Sequence, residues 1–214
     1  MAEIAMRNAF IITIVLLLSV AAVFPALAGP TLSIPAPSGL EICKSTGFLK
    51  SLAAPRLRLS VGFVTEFDNK AMNSGADPEL RAFAMVLLPE DEHTLTDAEF
   101  SVIVADVDKC LGDSDLNRKA PLLYDDKMAV TAEINKPVNV GRMFCRKDCA
   151  GWLILLNAKA GMEVRPYWVN IVVMRIHGKA LFAYRYDIYP GDGQTKAAAK
   201  LGEDWAEAIL KANP

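Results

Sequence analysis

Hydrophobic and polar residues alternate in one part of this chain and run together in others, and both patterns predict β-strands. Residues 56–67 alternate with the period of a half-buried strand, while 80–88 is a shorter apolar run that stops at Pro89. The last two apolar runs meet at the dipeptide His177-Gly178, a short joint that predicts a β-hairpin. The predicted strands cover residues 56–67, 80–88, 128–134, 152–157, 167–176 and 179–189.

Two capping boxes mark the beginnings of helices. In this motif a Ser or Thr at the helix start is followed three residues later by Glu, and the two satisfy each other's free backbone N–H groups. The motifs at 38–41 and 96–99 predict helices over 40–52 and from the second box to Gly112. A strand through 102–104 is the alternative for the second segment, and its capping box favours the helix.

The middle helix and a closing helix over 196–212 each have one apolar face. We expect Trp205 of the closing helix to pack on the aromatic side chains that share one face of the last strand, namely Phe182, Tyr184 and Tyr186. The expected apolar positions are Phe100, Ile103, Val104, Val107 and Leu111 in the middle helix and Leu201, Trp205, Ala208, Ile209 and Ala212 in the closing helix.

The order of predicted elements is α-β-β-α-β-β-β-β-α. Strands that come in runs joined by short turns indicate the α+β class, with a mostly antiparallel sheet and helices packed on one face. The chain shows no internal repeat and no second-domain boundary. We therefore divide it into a leader (1–28), a Pro-rich extended arm (29–37) and a single α+β domain (38–214).

The leader has the three parts of a secretory signal peptide. Arg7 precedes a continuous apolar run over 9–24, and Ala26-Leu27-Ala28 supplies a small-x-small cleavage site. Cleavage after Ala28 predicts a periplasmic or secreted protein, and an uncleaved N-terminal anchor is the alternative. No later segment approaches the roughly 20 apolar residues of a spanning helix, so the mature chain is expected to have no membrane span.

The charge of the chain argues against some classes of binding partner. The formal net charge is −2 and no basic cluster occurs, which argues against a nucleic-acid partner. The chain also lacks long blocks of like charge, which argues against a disordered, solvating role. The remaining partners are a protein or a small-molecule ligand of the cell envelope.

Four cysteines in an exported chain predict two disulfides, for which three pairings are possible. The short polar stretch CRKDC favours Cys145–Cys149, which leaves Cys43–Cys110 as the second pair. The spacing C-x3-C lacks the tight turn of a C-x-x-C redox motif, so a structural bridge is the favoured interpretation.

Signals for catalysis are weak. The two histidines, His93 and His177, are far apart and form no H-x-x-x-H motif, and no G-x-S-x-G elbow is present. The stretch 113–117 opens like a calcium loop, but Arg118 and Tyr124 replace the Gly and Glu that such a loop needs. We predict no metal and no cofactor.

An aromatic cluster is the densest chemical feature and has two interpretations. Core packing is favoured, and the alternative is a binding surface formed by Tyr167, Trp168, Tyr184 and Tyr186. We therefore expect an exported, non-catalytic binding or interaction domain. A small secreted hydrolase or thiol-redox enzyme is the alternative, and a histidine clustered with a serine and a carboxylate would favour it.

Overall fold

The computed structural model describes residues 32–53, 56–90, 93–112, 138–160, 163–191 and 194–214. The leader and the strand expected at 128–134 lie outside these residues. The strands are β1 (Glu41–Ile42), β2 (Leu57–Val64), β3 (Ala82–Pro89), β4 (Val138–Arg146), β5 (Cys149–Ala160), β6 (Glu163–Ile176) and β7 (Lys179–Ile188). The helices are α1 (Gly47–Ser51), α2 (Glu66–Ser74), α3 (Asp97–Gly112) and α4 (Thr195–Ala212).

All seven strands form one antiparallel sheet in the order β1-β2-β3-β7-β6-β5-β4. Strands β4 to β7 follow one another as a meander, and β7 then pairs with β3 from the first half of the chain. This confirms the α+β class and the mostly antiparallel sheet. The order along the chain differs from the prediction by β1, α2 and β4, none of which was expected at these residues.

Helices cover both faces of the sheet, so the prediction of helices on one face is wrong. Phe182 and Tyr184 of β7 belong to the apolar cluster that includes α3, whereas Leu181 and Ala183 belong to the cluster that includes α4. The physical reason is visible in the later strands. Their apolar runs are continuous, as expected when both alternating sets of side chains are buried.

Trp205 consequently packs on the face opposite to the one predicted. Its ring meets Phe63 edge to face, with 6.0 Å between centroids, and it shares its cluster with Ala183. Tyr186 instead stacks on Phe83 at 4.3 Å on the α3 side. The closing helix itself is confirmed, although its buried stripe is Ala198, Gly202, Trp205, Ala206 and Ile209.

Two local predictions are confirmed in atomic detail. At the start of α3, Glu99 N–H donates to Thr96 Oγ1 at 3.2 Å, and Thr96 N–H donates to Glu99 Oε2 at 2.8 Å, which is a complete capping box. In the β6–β7 joint, His177 and Gly178 have φ of 49° and 74°. Two consecutive positive φ values are those of a type I′ hairpin turn.

The first predicted helix, over 40–52, is wrong in its first half. Glu41 does not complete a cap, because its Oε1 accepts a hydrogen bond from Asn69 Nδ2 at 2.6 Å. Asn69 Nδ2 also donates to Ile42 O at 3.2 Å, which holds this segment extended as β1. Only the short α1 remains of the expected helix.

Helix α2 occupies a polar stretch between two predicted strands, where no helix was expected. The Thr65 side chain accepts from Asp68 N–H at 3.1 Å, and Gly75 ends the helix in the left-handed region with φ of 78°. Asp68 is buried, and its Oδ1 accepts a hydrogen bond from Leu80 N–H at 2.9 Å, which satisfies the carboxylate there. The polar residues here anchor a helix rather than form a solvated turn.

The described part of the predicted arm, together with the three residues after it, lies against the domain, and we call residues 32–40 the strap. Its apolar residues Leu32, Ile34 and Leu40 pack on the cluster that contains Trp205. Ser33 N–H donates to Asn213 Oδ1 at 2.9 Å, and Asn213 Nδ2 donates to Ser33 O at 2.7 Å. The described part of the arm is therefore docked on the domain.

Candidate functional site

The four aromatic residues proposed as a binding surface are all buried. Tyr167, Tyr184 and Tyr186 lie in the cluster under α3, and Trp168 lies in a separate cluster beside β4. At most 3% of any of these residues is exposed. The core interpretation fits their positions, and they offer no exposed aromatic surface to a ligand.

Burial changes the acidity of the tyrosine hydroxyls in this cluster. Burial raises the pKa of Tyr167, Tyr184 and Tyr186 above the ordinary value. Tyr167 donates to Leu80 O at 3.0 Å, so its hydroxyl holds the chain that enters β3. These groups are structural phenols that stay protonated near neutral pH.

The predicted disulfides are not formed. Cys145 is paired with Ala150 in the β4–β5 ladder. Cys149 directly precedes Ala150 on strand β5. Paired residues share a face and adjacent residues of a strand do not. The side chains of Cys145 and Cys149 therefore point to opposite faces of the sheet, and burial raises the pKa of Cys149 to about 12.

The second predicted pair is also absent. Cys43 is buried beside α2, where its thiol donates to Ser45 O at 3.1 Å and lies 3.9 Å from Met72 Sδ. Cys110 is on α3 and is not in a disulfide. Desolvation raises the pKa of Cys43, as expected for a thiol that packs as a small apolar group.

Neither histidine lies in a catalytic arrangement among the described residues. His93 Nε2 is 2.9 Å from Glu99 Oε1, but the other oxygen of this carboxylate is occupied by the capping box. Hydrogen bonds from Thr96 and His93 lower the pKa of Glu99 to about 2. His177 is exposed in the hairpin turn. Because the pKa of Glu99 is lowered from 4.5 to about 2, the contribution of Glu99 to stability is present above pH 4.5 and is lost as the pH falls towards 2.

Arg175 is a structural residue that the sequence did not single out. Its guanidinium lies 2.5 Å from Asp97 Oδ1 and 2.5 Å from Asp148 Oδ1, and it sits 5.8 Å from the centre of the Phe100 ring. These contacts tie the first turn of α3 to the β4–β5 turn. Arg175 lowers the pKa of Asp97 through the same hydrogen bond.

A row of polar side chains is buried between the sheet and α4. Asn170 and Arg185 are directly paired, as are Trp168 and Asp187. Arg185 Nε donates to Asp187 Oδ2 at 2.8 Å, and Asn170 Nδ2 donates to Ala198 O at 3.1 Å. Within the described part of the chain, Trp168 Nε1, Asn170 Oδ1 and Arg185 Nη1 have no partner.

Among the described residues, a small recess with mixed chemistry lies where β4, the last strand of the sheet, meets α4, and we call it the edge groove. It is lined by Met143, Thr195, Lys196, Ala199, Lys200 and Glu203, and its volume is about 160 Å³. Pockets for cofactors and drug-sized ligands usually have about 300–1,000 Å³. The edge groove is thus large enough for a side chain or two of another molecule, and too small for a typical cofactor.

A β-bulge forms one wall of the edge groove. Arg142 pairs with Trp152 and Phe144 pairs with Gly151, so Met143 is the extra residue between them. A bulge re-aims a side chain that regular pairing would fix. Met143 consequently packs in the same cluster as Ala199 of the facing helix.

The opposite wall of the edge groove is positive. It is the first half of α4, whose first turn contains no acidic residue and whose N-cap, Gln194, makes no side-chain capping bond. Lys200 pairs with Asp204, and Glu203 is held by Arg146, whose Nη2 lies 3.0 Å from Glu203 Oε1. Among the residues that the structure describes, this leaves Lys196 and the positive end of the helix dipole to attract an anion.

The hydrophobic cluster that includes Met143 and Ala199 contains a further donor. Trp168 packs in the same cluster as Met143 and Ala199, and its indole N–H is one of the unpartnered buried groups. No residue pattern indicates the bulge in advance, whereas Lys196 and Lys200 are four residues apart and therefore lie on one face of the helix.

Metal and membrane sites can be assessed for the same residues. Across the described ranges, no group of three His, Cys, Asp or Glu side chains is placed to hold a metal ion. None of the helices found there is long and apolar enough to cross a bilayer.

No family model, curated protein or solved structure matches the chain.

Proposed function

We propose that this chain is exported and acts as a non-catalytic binding domain of the periplasm or envelope, where its edge groove takes an extended acidic segment of a partner protein. Export is supported by the charged start, apolar core and Ala-x-Ala of the first 28 residues. Binding is supported by one arrangement above all: an edge strand and a helix that enclose a small groove with a positive wall.

The occupant is argued from shape and charge. Among the described strands β4 lies at the edge of the sheet, and an edge strand presents unpaired backbone N–H and C=O groups to an extended chain. Strand β4 continues on both sides of Met143, so a chain lying along it passes the groove rather than ending in it. An acidic side chain of that passing segment meets Lys196, the N–H groups of the first turn and an apolar wall. The two bulges of β4 restrict regular pairing, so the groove rather than the backbone determines selectivity.

Synthetic peptides test the binding proposal. Titration of ¹⁵N-labelled protein with a ten-residue extended peptide containing Glu is expected to shift the amide signals of Met143, Lys196 and Ala199. Replacing Lys196 by Ala should weaken binding by about tenfold, which corresponds to about 1.4 kcal/mol. Raising the salt concentration should weaken it as well, because the contact is exposed.

Matched controls distinguish specific binding in the edge groove from nonspecific binding of the peptide. Lys211→Ala removes the same charge from the far end of α4 and should leave the affinity unchanged. Amidating the peptide C-terminus should also have no effect, whereas replacing its Glu by Gln should reduce binding. Equal affinity of the Glu and Gln peptides, or shifts confined to other surfaces, would show that the edge groove is not the site.

Export has its own test. The protein recovered from the periplasmic fraction should begin at Gly29 when its N-terminus is sequenced, because the small residues Ala26 and Ala28 fit the peptidase pocket. Changing Ala28 to Leu should block this cleavage and leave a chain that fractionates with membranes. A wild-type chain that keeps Met1 in the cytoplasm would refute export without affecting the peptide result.

A further inference from the structure

The strap is held on the domain by hydrogen bonds to its main chain. Ser33 N–H donates to Asn213 Oδ1 at 2.9 Å and Ser33 O accepts from Asn213 Nδ2 at 2.7 Å, and we call this pair of bonds the clamp. Trp205 Nε1 donates to Pro35 O at 2.9 Å. Because the strap contributes only backbone atoms to these three bonds, they would form with any extended segment that has an N–H group at the position of Ser33.

The groups that make these bonds are positioned by the domain. Asn213 Nδ2 also donates to Ile209 O at 2.8 Å, which fixes the amide at the end of α4. The Trp205 ring packs edge to face on Phe63, and Ile209 belongs to the same apolar cluster. We call these four residues the strap site. Its polar groups bind the main chain of the strap, and its apolar residues belong to the cluster on which the side chains of the strap pack.

The strap presents apolar side chains at alternate positions. Leu32 and Ile34 pack on the cluster that includes α4, whereas Ser33 between them is exposed and Pro37 is buried. Prolines reduce the conformational entropy that an extended segment loses on binding, and Pro-rich segments of this kind dock on aromatic side chains in several classes of recognition domain. The pattern aliphatic-x-aliphatic-Pro-x-Pro over 32–37 therefore describes the class of segment that fits the strap site.

The strap covers the site incompletely. Leu32, Ile34 and Pro35 are only partly buried, and both bonds of the clamp are exposed to water. Exposed hydrogen bonds add little to stability, because water competes for the same groups. The strap gains its advantage from its attachment, since a tethered segment has an effective concentration of about a millimolar. A segment of another molecule can therefore replace it when its side chains bury more apolar surface.

We infer that the strap site is a second binding site of this protein, which takes an extended segment of a partner protein with the pattern aliphatic-x-aliphatic-Pro, and that the strap is its intramolecular competitor. The inference does not depend on the edge groove, which is lined by the first half of α4, whereas the strap site uses the second half. A second copy of the chain is a poorer occupant. Its strap would make the same contacts and would also lose translational and rotational freedom.

Peptide titration of a strap variant tests the inference. Ile34→Asp places a charge on the apolar side of the strap and should release it without changing the strap site. A peptide with the sequence of residues 30–39, PTLSIPAPSG, should then bind at least tenfold more tightly than it binds the wild-type protein. In ¹⁵N-labelled protein the indole N–H signal of Trp205 should shift in the variant and return towards its wild-type position when the peptide is added. A peptide that carries Asp in place of its Ile should not bind.

A second variant and two controls isolate the cause. Ser33→Pro removes one donor of the clamp from an exposed residue, so it should also increase peptide affinity, and it provides the measurement if Ile34→Asp fails to fold. Ala36→Asp places the same charge on an exposed position of the strap and should behave like the wild-type protein. Lys196→Ala, which alters the edge groove, should leave the affinity for this peptide unchanged.

Three results would overturn the inference without affecting the edge groove. The first is a folded strap variant whose peptide affinity equals that of the wild-type protein. The second is peptide binding that leaves the indole signal of Trp205 unmoved. The third is a wild-type dimer that forms with rising concentration and is abolished by Ile34→Asp, because the occupant of the strap site would then be a second copy of the chain.

Discussion

Replacing Trp205 by alanine is expected to lower the free energy of unfolding by about 3–5 kcal/mol, the usual cost of truncating a large buried aromatic side chain. Only 2% of Trp205 is exposed. Its ring fills the space between α4 and Phe63, and its N–H holds Pro35 of the strap. A typical domain has only about 5–15 kcal/mol in total, so urea-induced unfolding should show a large shift of the midpoint.

Two further variants assign the cause of this loss. Lys200→Ala changes an exposed residue of the same helix and should leave the midpoint nearly unchanged. Trp205→Phe keeps most of the packing and removes the hydrogen bond to Pro35, so it should release the strap at a smaller cost to the whole domain. If Trp205→Ala leaves stability unchanged but abolishes peptide binding, the residue belongs to a recognition surface and not to the core.

Gly202→Ala should destabilise the protein by about 1–3 kcal/mol, although alanine is normally favoured over glycine in a helix by about 1 kcal/mol. A Cβ at this position would lie 2.4 Å from Asn170 Oδ1 and 2.5 Å from Asn170 Cγ. Asn170 is fully buried and bonded to Ala198 O, so it cannot move aside cheaply. Thermal and urea unfolding of the single variant measure the effect.

A double-mutant cycle makes this prediction specific. Shortening the partner with Asn170→Ala should recover part of the loss caused by Gly202→Ala, because it removes the two closest atoms. Gly47→Ala is the matched control in α1, where an added Cβ meets nothing within 4 Å. Simple additivity of the two changes would mean that α4 shifts freely over the sheet.

The elements that the sequence predicted well are those whose signals are local. The α3 capping box lies within four residues, and the β6–β7 hairpin depends on His177-Gly178 alone. Both are determined by backbone sterics and neighbouring donors, which no distant contact overrides. The closing helix was found for a similar reason, since its apolar stripe repeats over several turns.

The failures involve choices between faces, which periodicity does not settle. Alternation grouped Phe182 with Tyr184 correctly, but it could not say which helix would cover them. The pairing of Cys145 with Cys149 ignored the ladder, in which the two thiols point to opposite faces. The edge groove depends on a bulge at Met143, and a single extra residue in one strand leaves no pattern in the sequence.

The clamp between Ser33 and Asn213 joins residues that are 180 positions apart. A chain that emerges N-terminus first from a ribosome or a translocation channel therefore displays its strap long before the surface that receives it exists. Strand β3 likewise cannot pair with β7 until β7 has emerged, and Phe83 cannot contact Tyr186 before then. Closure is thus delayed until α4 emerges, and a product truncated before α4 would expose the apolar cluster that α4 covers and would be prone to aggregation.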